Sequence, residues 1–219
     1  MPEALEEKKR RASAIIRALE KEYPDAHVAL NFTTPFELLI ATILAAQCTD
    51  KLVNSITPGL FKKYPAPKDF VAASLPELEK YIQKVTFFRA KAKSVQECCR
   101  VLVEQHKSKV PQTLEELIAL RGVGRKTANV VLGNAFGQEA IAVDTHVKRI
   151  SNLLKLVNTE DPDKIEFELQ KILAKNRWTQ WAHLIATHGR AVCIARRPKC
   201  AECVINQYCP SRLDLKSVK

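Results

Sequence analysis

The sequence predicts an all-α protein. Helix-start signals recur along the chain, apolar residues fall at helical spacing between them, and no stretch alternates apolar and polar residues as a half-buried strand does. Thr34-Pro35-Phe36-Glu37 combines a capping box with proline at the first helical position and opens a helix to about Ala46. Asp50–Phe61 carries the next helical pattern, and Ser74-Leu75-Pro76-Glu77 repeats the capping box. Phe88–His106 follows, then a third capping box at Thr113-Leu114-Glu115-Glu116. Lys126–Phe136 and His146–Val157 are periodic, Asp161-Pro162 gives another start, and Trp178–Arg190 closes the series. The expectation is about ten helices joined by short turns, without internal repeats. No Gly/Ser-rich linker marks a domain boundary.

A chain of 219 residues can bury a substantial core, as one domain or two small ones. Its 46% hydrophobic and 27% charged residues are those of a globular protein, which excludes a disordered or fibrous class. The net charge of +11 points to a polyanionic partner, nucleic acid first. The charge is concentrated: residues 80–109 hold eight Lys/Arg against two acids and residues 188–219 hold seven against two, whereas residues 1–27 balance six against six. One face meeting phosphates would have that distribution. No apolar run approaches the roughly 20 residues of a membrane span; Phe36 to Ala46, the longest, is interrupted by Glu37 and reads as a core helix. The stretch Met1-Pro2-Glu3-Ala4-Leu5-Glu6-Glu7 lacks the features of a secretory signal, so the expected location is the reducing cytosol. The seven cysteines are then not a disulfide framework and need another explanation.

Leu120-Arg121-Gly122-Val123-Gly124-Arg125-Lys126-Thr127-Ala128 lies between two predicted helices. Two glycines two apart permit a tight hairpin and leave backbone N–H groups open, a natural cradle for a phosphate at the start of the next helix. The same residues also suit an ordinary turn between helices; the spacing is not that of a Walker loop. A lysine amine must lose its proton before it attacks carbon, and the first turn of a helix beside Arg125 favours the neutral form of Lys126. A neutral amine can attack a sugar C1′, displace the base and form a Schiff base. The simpler reading of Lys126 alone is a phosphate contact. Asp144 lies eighteen residues downstream, after Ala140-Ile141-Ala142-Val143. One helix and a turn would return the chain there, placing a carboxylate able to stabilise positive charge on the sugar. Its position also suits a helix N-cap, and the two roles are compatible.

Cys193-x6-Cys200-x2-Cys203-x5-Cys209 places four cysteines within seventeen residues. Structural zinc sites usually pair two close knuckles. Only one C-x-x-C is present here, and four thiolates on a compact loop suit a 4Fe–4S cluster at least as well. The first interval contains Arg196, Arg197 and Lys199, so a metal would fold a basic loop suited to phosphates. Cys98 and Cys99 sit in mid-helix as buried apolar residues; Cys48 has no assignment.

Together these residues resemble the endonuclease III family of helix-hairpin-helix DNA glycosylases. The match runs from Asn31-Phe32-Thr33-Thr34-Pro35-Phe36-Glu37-Leu38-Leu39-Ile40 to Cys209, and is most specific at three places. These are Gly122-Val123-Gly124-Arg125-Lys126-Thr127-Ala128-Asn129-Val130, Ile141-Ala142-Val143-Asp144-Thr145-His146, and His188-Gly189-Arg190 leading into the four cysteines. The resemblance implies two helical domains with DNA in a cleft between them. One would be a six-helix barrel over residues 28–138 carrying the hairpin. The other would join residues 1–27 to 139–219 around a 4Fe–4S cluster held by Cys193, Cys200, Cys203 and Cys209. It implies a monomeric base excision enzyme acting on duplex DNA with oxidised pyrimidines or abasic sites, cytoplasmic and nucleoid-bound when at work. The base would be flipped into a pocket and released through Lys126, followed by β-elimination with support from Asp144. Gln47 would fill the gap left by the base. Arg121, Gly122, Gly124, Arg125, His146 and the basic loop would contact DNA.

Three departures stand out. Arg121 replaces the usual hairpin proline, Cys48 replaces a more usual alanine, and Thr86-Phe87-Phe88-Arg89 replaces the family's Gly-Leu-Tyr wedge. Phe87 would then be the residue inserted between bases. Three other readings fit part of the sequence. The adenine-mismatch branch shares hairpin, aspartate and cluster but typically lacks the lysine and carries a further C-terminal domain. A non-catalytic DNA-binding module would use Lys126 and Asp144 as phosphate contact and helix cap. An electron-transfer protein would explain only the cysteines.

Overall fold

The structure is a computed structural model and describes residues 3–212. Among them every regular element is helical, with no strand. In chain order the α-helices are α1 (Leu5–Glu22), α2 (Pro35–Ala45), α3 (Asp50–Lys63), α4 (Pro67–Ala72), α5 (Leu75–Ile82), α6 (Phe88–Gln105), α7 (Leu114–Ile118), α8 (Arg125–Ala135), α9 (Thr145–Leu153), α10 (Pro162–Ile172) and α11 (Trp178–Ala191). Their packing divides the chain into two compact units: Val28–Gln138, and the chain up to His27 together with the chain from Glu139 onward.

In the unit Val28–Gln138, α2 is the central element. Phe36 and every residue from Leu38 to Leu44 are buried, as expected of a helix apolar on all sides. Thr42, the one hydroxyl in that run, donates to Leu38 O at 2.7 Å and so enters the core satisfied. Thr34 caps α2 by accepting from Glu37 N–H, while the Glu37 carboxylate reaches Thr33 rather than Thr34. Ser74 stands at the N-cap of α5 but makes no side-chain cap bond, so the signal marks the helix start without its capping bond. On α6 the buried Ala92, Val95, Cys98, Cys99 and Leu102 recur at three and four residues, one stripe facing the core. Cys98 and Cys99 are buried apolar residues, as their place in mid-helix predicts.

The second unit is built on α1, whose Ala12, Ile15, Ile16 and Leu19 form one apolar stripe. They join Val147 and Ile150 of α9, Ile165 and Leu169 of α10, and Trp181, Leu184 and Ile185 of α11 in one core. Each such large side chain contributes about 1.5–3 kcal/mol by leaving water. α9 is shorter than the sequence suggests, ending at Leu153 rather than Val157. Lys155 takes a left-handed φ of 52°, Leu156 N–H returns to Ser151 O and Lys155 N–H to Asn152 O. That is a Schellman stop with lysine where glycine is usual, and apolar periodicity continuing through Leu156 conceals it. Among the described residues no helix is long and apolar enough to cross a membrane.

Candidate functional site

The hairpin Leu120–Gly124 joins α7 to α8, closed by Val123 N–H donating to Leu120 O at 3.1 Å. Its two glycines do different work. Gly122 has φ +81°, and a Cβ there would lie 3.1 Å from Ser94 Cβ and 3.5 Å from Ile43 Cγ2, so both conformation and space require glycine. Gly124 is the N-cap of α8 with extended backbone, and a Cβ there would meet nothing within 4 Å. Open space above it is where another molecule's backbone can approach. Gly122→Ala is therefore expected to destabilise the fold by about 1–3 kcal/mol. Gly124→Ala is expected to leave the thermal midpoint unchanged and weaken DNA binding. Thermal unfolding beside duplex titration checks the pair, and equal loss of stability in both would contradict it.

Lys126 is the second residue of α8 and is exposed, where the first N–H groups of a helix lack intrahelical partners. Among the described residues its amine has no hydrogen bond or ion pair. Arg121 is also exposed, but its guanidinium lies 3.5 Å from the Glu97 carboxylate. The extra charge at the hairpin is thus partly offset from α6, in a surface pair worth about 0–1 kcal/mol. Gln47 is exposed in the turn after α2, and Phe87, 63% exposed, is the N-cap of α6. Both take φ of 56°, the left-handed region that a side chain, above all a bulky one, rarely occupies.

In the other unit Asp144 is the N-cap of α9. Its Oδ1 accepts from His146 N–H at 2.8 Å and Val147 N–H at 2.7 Å, so both cap bonds fall on one oxygen of a half-buried carboxylate. Fixing one oxygen orients the other, which is how a cap also serves as a positioned charge. His146 packs on α11 at Gly189, where any Cβ would run into the imidazole ring. Burial first, and the charges of Arg149 and Arg190 next, hold the imidazole below its ordinary range against the opposite pull of Asp144. The imidazole is therefore favoured as a neutral hydrogen-bonding ring.

Cys193, Cys200, Cys203 and Cys209 all line one recess, walled by Ile150, Leu153, Leu154 and Ile205. None is in a disulfide. Among the described residues no three His, Cys, Asp or Glu side chains converge on a point that would hold a single ion. Four soft donors around a mostly apolar recess fit an iron–sulfur cluster. The loop is anchored by residues the sequence did not mark. Arg11 donates to Leu154 O and Tyr208 O, Arg149 to Cys193 O at 2.7 Å, and Asn206 to Cys200 O. His188 is buried, with Nε2 at 3.4 Å from Cys203 Sγ and Nδ1 at 3.1 Å from the Tyr23 hydroxyl. Burial pushes its pKa down to about 4. If the neutral ring donates Nε2–H to sulfur, Nδ1 accepts from the Tyr23 hydroxyl. Arg196 and Arg197 are exposed on the loop, while Lys199, also exposed, pairs with Glu202 at 3.7 Å.

Comparison with known proteins agrees with this arrangement. Residues 40–175 match the HhH-GPD superfamily base excision DNA repair protein family, and residues 193–209 match the iron-sulfur binding domain of endonuclease III. The second match runs from Cys193 to Cys209, and the cofactor of this chain is a 4Fe–4S cluster. Endonuclease III of Synechocystis sp. is 49% identical over 205 residues, 93% of this chain and 94% of the relative. Endonuclease III of Escherichia coli is 39% identical over 195 residues, 89% of this chain and 92% of the relative. Among solved structures, a trapped covalent intermediate of endonuclease III with DNA, an estranged-adenine complex, superposes with a TM-score of 0.88. It is 43% identical and covers 93% of this chain and 96% of its own. This chain belongs to the endonuclease III family, within the HhH-GPD superfamily of base excision DNA repair proteins.

Proposed function

We propose that this DNA glycosylase and AP lyase removes oxidised or ring-saturated pyrimidines from duplex DNA as a monomer, with Lys126 as nucleophile and Asp144 as its supporting carboxylate. The observation that carries the assignment is the Lys126 amine, exposed at the start of α8 with no partner among the described residues. The neutral amine attacks C1′, and the bond from C1′ to the base breaks, its electron pair leaving with the base, which takes up a proton. The C1′–O4′ bond then breaks as the nitrogen lone pair forms C1′=N, and O4′ keeps the electron pair and takes up a proton, giving the protonated Schiff base. Removal of a C2′ proton then forms the C2′–C3′ double bond and expels the 3′ phosphate. Water releases Lys126 from the sugar fragment. Positive charge builds on the sugar in these steps, and a carboxylate oriented by its cap bonds stabilises it. Gln47 fills the space left by the flipped base and Phe87 wedges between its neighbours. Arg121, Gly122, Gly124 and Arg125 hold a phosphate at the hairpin, and His146 adds a further hydrogen bond to the DNA.

Cys193, Cys200, Cys203 and Cys209 hold the 4Fe–4S cluster. When bound, that group supplies a rigid inorganic core for the loop rather than chemistry at the sugar. Around it Arg196, Arg197 and Lys199 meet the DNA backbone, in the cytoplasm and on the nucleoid. The test is a duplex carrying one thymine glycol, with base release and strand nicking followed in the same samples at enzyme excess. Both are expected from the damaged duplex and neither from the undamaged one. Tight, salt-sensitive binding without release would return the protein to a non-catalytic DNA-binding module.

A further inference from the structure

Gln47 and Phe87 stand 40 residues apart in sequence, yet both hold the same disfavoured left-handed backbone, with φ of 56°. A non-glycine residue keeps such a conformation only where its surroundings enforce it. The residues that flank them bond to one another. Cys48, directly after Gln47, lies 3.3 Å from the hydroxyl of Thr86, directly before Phe87, and its sulfur accepts Thr86 N–H at 3.2 Å. The Thr86 hydroxyl in turn donates to Gln47 O at 3.3 Å. Beneath both turns lies Lys91 of α6, only 7% exposed. Its ammonium donates to Leu44 O at 2.8 Å and Ala46 O at 2.5 Å at the end of α2, and to Cys48 Sγ at 3.5 Å. All three of its donors are used, and the charge sits at the negative end of the α2 dipole.

We propose that Cys48, Thr86 and Lys91 form a clasp that ties the Gln47 turn to the Phe87 turn, so that the two residues enter the duplex as one preset unit. The clasp rests on the assignment of Gln47 and Phe87 as the residues that invade DNA, and its members are positioning residues that touch no reacting atom. The chemistry of the pair supports it. Partial burial works to raise the Cys48 thiol, yet the hydrogen bonds with Thr86 and the charge of Lys91 outweigh it and bring the thiol below its ordinary value. Alanine at position 48 would leave the Lys91 ammonium and Thr86 N–H without the sulfur they share. Prearranging two probes lowers the ordering cost when both enter the duplex.

The test uses the holoenzyme and Cys48→Ala, Thr86→Val, the double variant and Cys48→Ser, with Gln47→Ala and Phe87→Ala as controls. Thymine glycol duplex gives kcat and KM separately, undamaged duplex gives Kd, and 2-aminopurine beside an abasic-site analogue reports unstacking. Each single clasp variant is expected to lower kcat/KM by about five- to tenfold and reduce the 2-aminopurine signal, with Kd for undamaged duplex unchanged. The double variant is expected to lose no more than the worse single, because the residues act as a unit. Cys48→Ser is expected to recover most of the loss. A native 2-aminopurine signal in both single variants, or losses that multiply in the double, would overturn the clasp. Should native holoenzyme release no base, the catalytic assignment falls with it. Native behaviour of Gln47→Ala and Phe87→Ala would remove the probe roles and the clasp together. The clasp alone fails when those two controls lose activity and the clasp variants do not.

Discussion

Lys126→Ala is expected to abolish nicking at thymine glycol, slowing single-turnover cleavage by about a thousandfold or more, while duplex affinity falls less than about tenfold. The asymmetry follows from the hairpin. Phosphate binding at the proposed hairpin site would be shared among backbone N–H groups and neighbouring arginines, so one ammonium would be a modest part of the attraction. The covalent step has no second amine in the same turn of α8. Lys126→Arg sharpens the contrast, because a guanidinium keeps the charge yet does not give up its proton to become a nucleophile. Native binding with no nicking in Lys126→Arg separates nucleophile from phosphate anchor in one experiment. Nicking by Lys126→Ala at the native rate would sink the assignment.

Cys203→Ser is expected to lose the cluster, and with it the order of the loop between Cys193 and Cys209. Cys203 both lines the recess and meets His188, so the substitution removes a soft thiolate and disturbs the Tyr23–His188 chain behind it. Arg196, Arg197 and Lys199 then lose their fixed presentation. Duplex affinity is expected to fall by about 10- to 100-fold. The dependence of log K on log salt should become shallower by about 0.9 for each phosphate that the loop no longer neutralises. Iron content, circular dichroism and binding at several salt concentrations check the chain of effects. Native folding and native binding in an iron-free Cys203→Ser protein would contradict a structural role for the cluster.

Much of the helical architecture was legible because local rules govern it. Thr34, Thr113 and Asp161 cap helices where the sequence placed them, and the buried stripe of α6 follows the apolar spacing of Phe88–His106. Other features escaped these rules. Ser74 begins α5 without its expected bond, and α9 stops early at a left-handed Lys155 that no glycine announces. The hairpin glycines looked alike in sequence. Only the approach of Ser94 and Ile43 distinguishes a structurally required Gly122 from a Gly124 facing open space. Cys48 had no assignment because its partners lie 38 and 43 residues away. The anchors of the cysteine loop were hidden for the same reason, since Arg11 reaches Tyr208 from the opposite end of the chain. His188 was visible within His188-Gly189-Arg190, but its bond to Cys203 was not.

The most direct test of the central claim is borohydride reduction of the protein mixed with duplex carrying one thymine glycol, followed by mapping of the modified peptide. The account predicts a stable covalent adduct at Lys126 for the native protein and none for Lys126→Ala. An adduct mapped to another lysine, or none on either thymine glycol or an abasic site, would contradict Lys126 as the nucleophile.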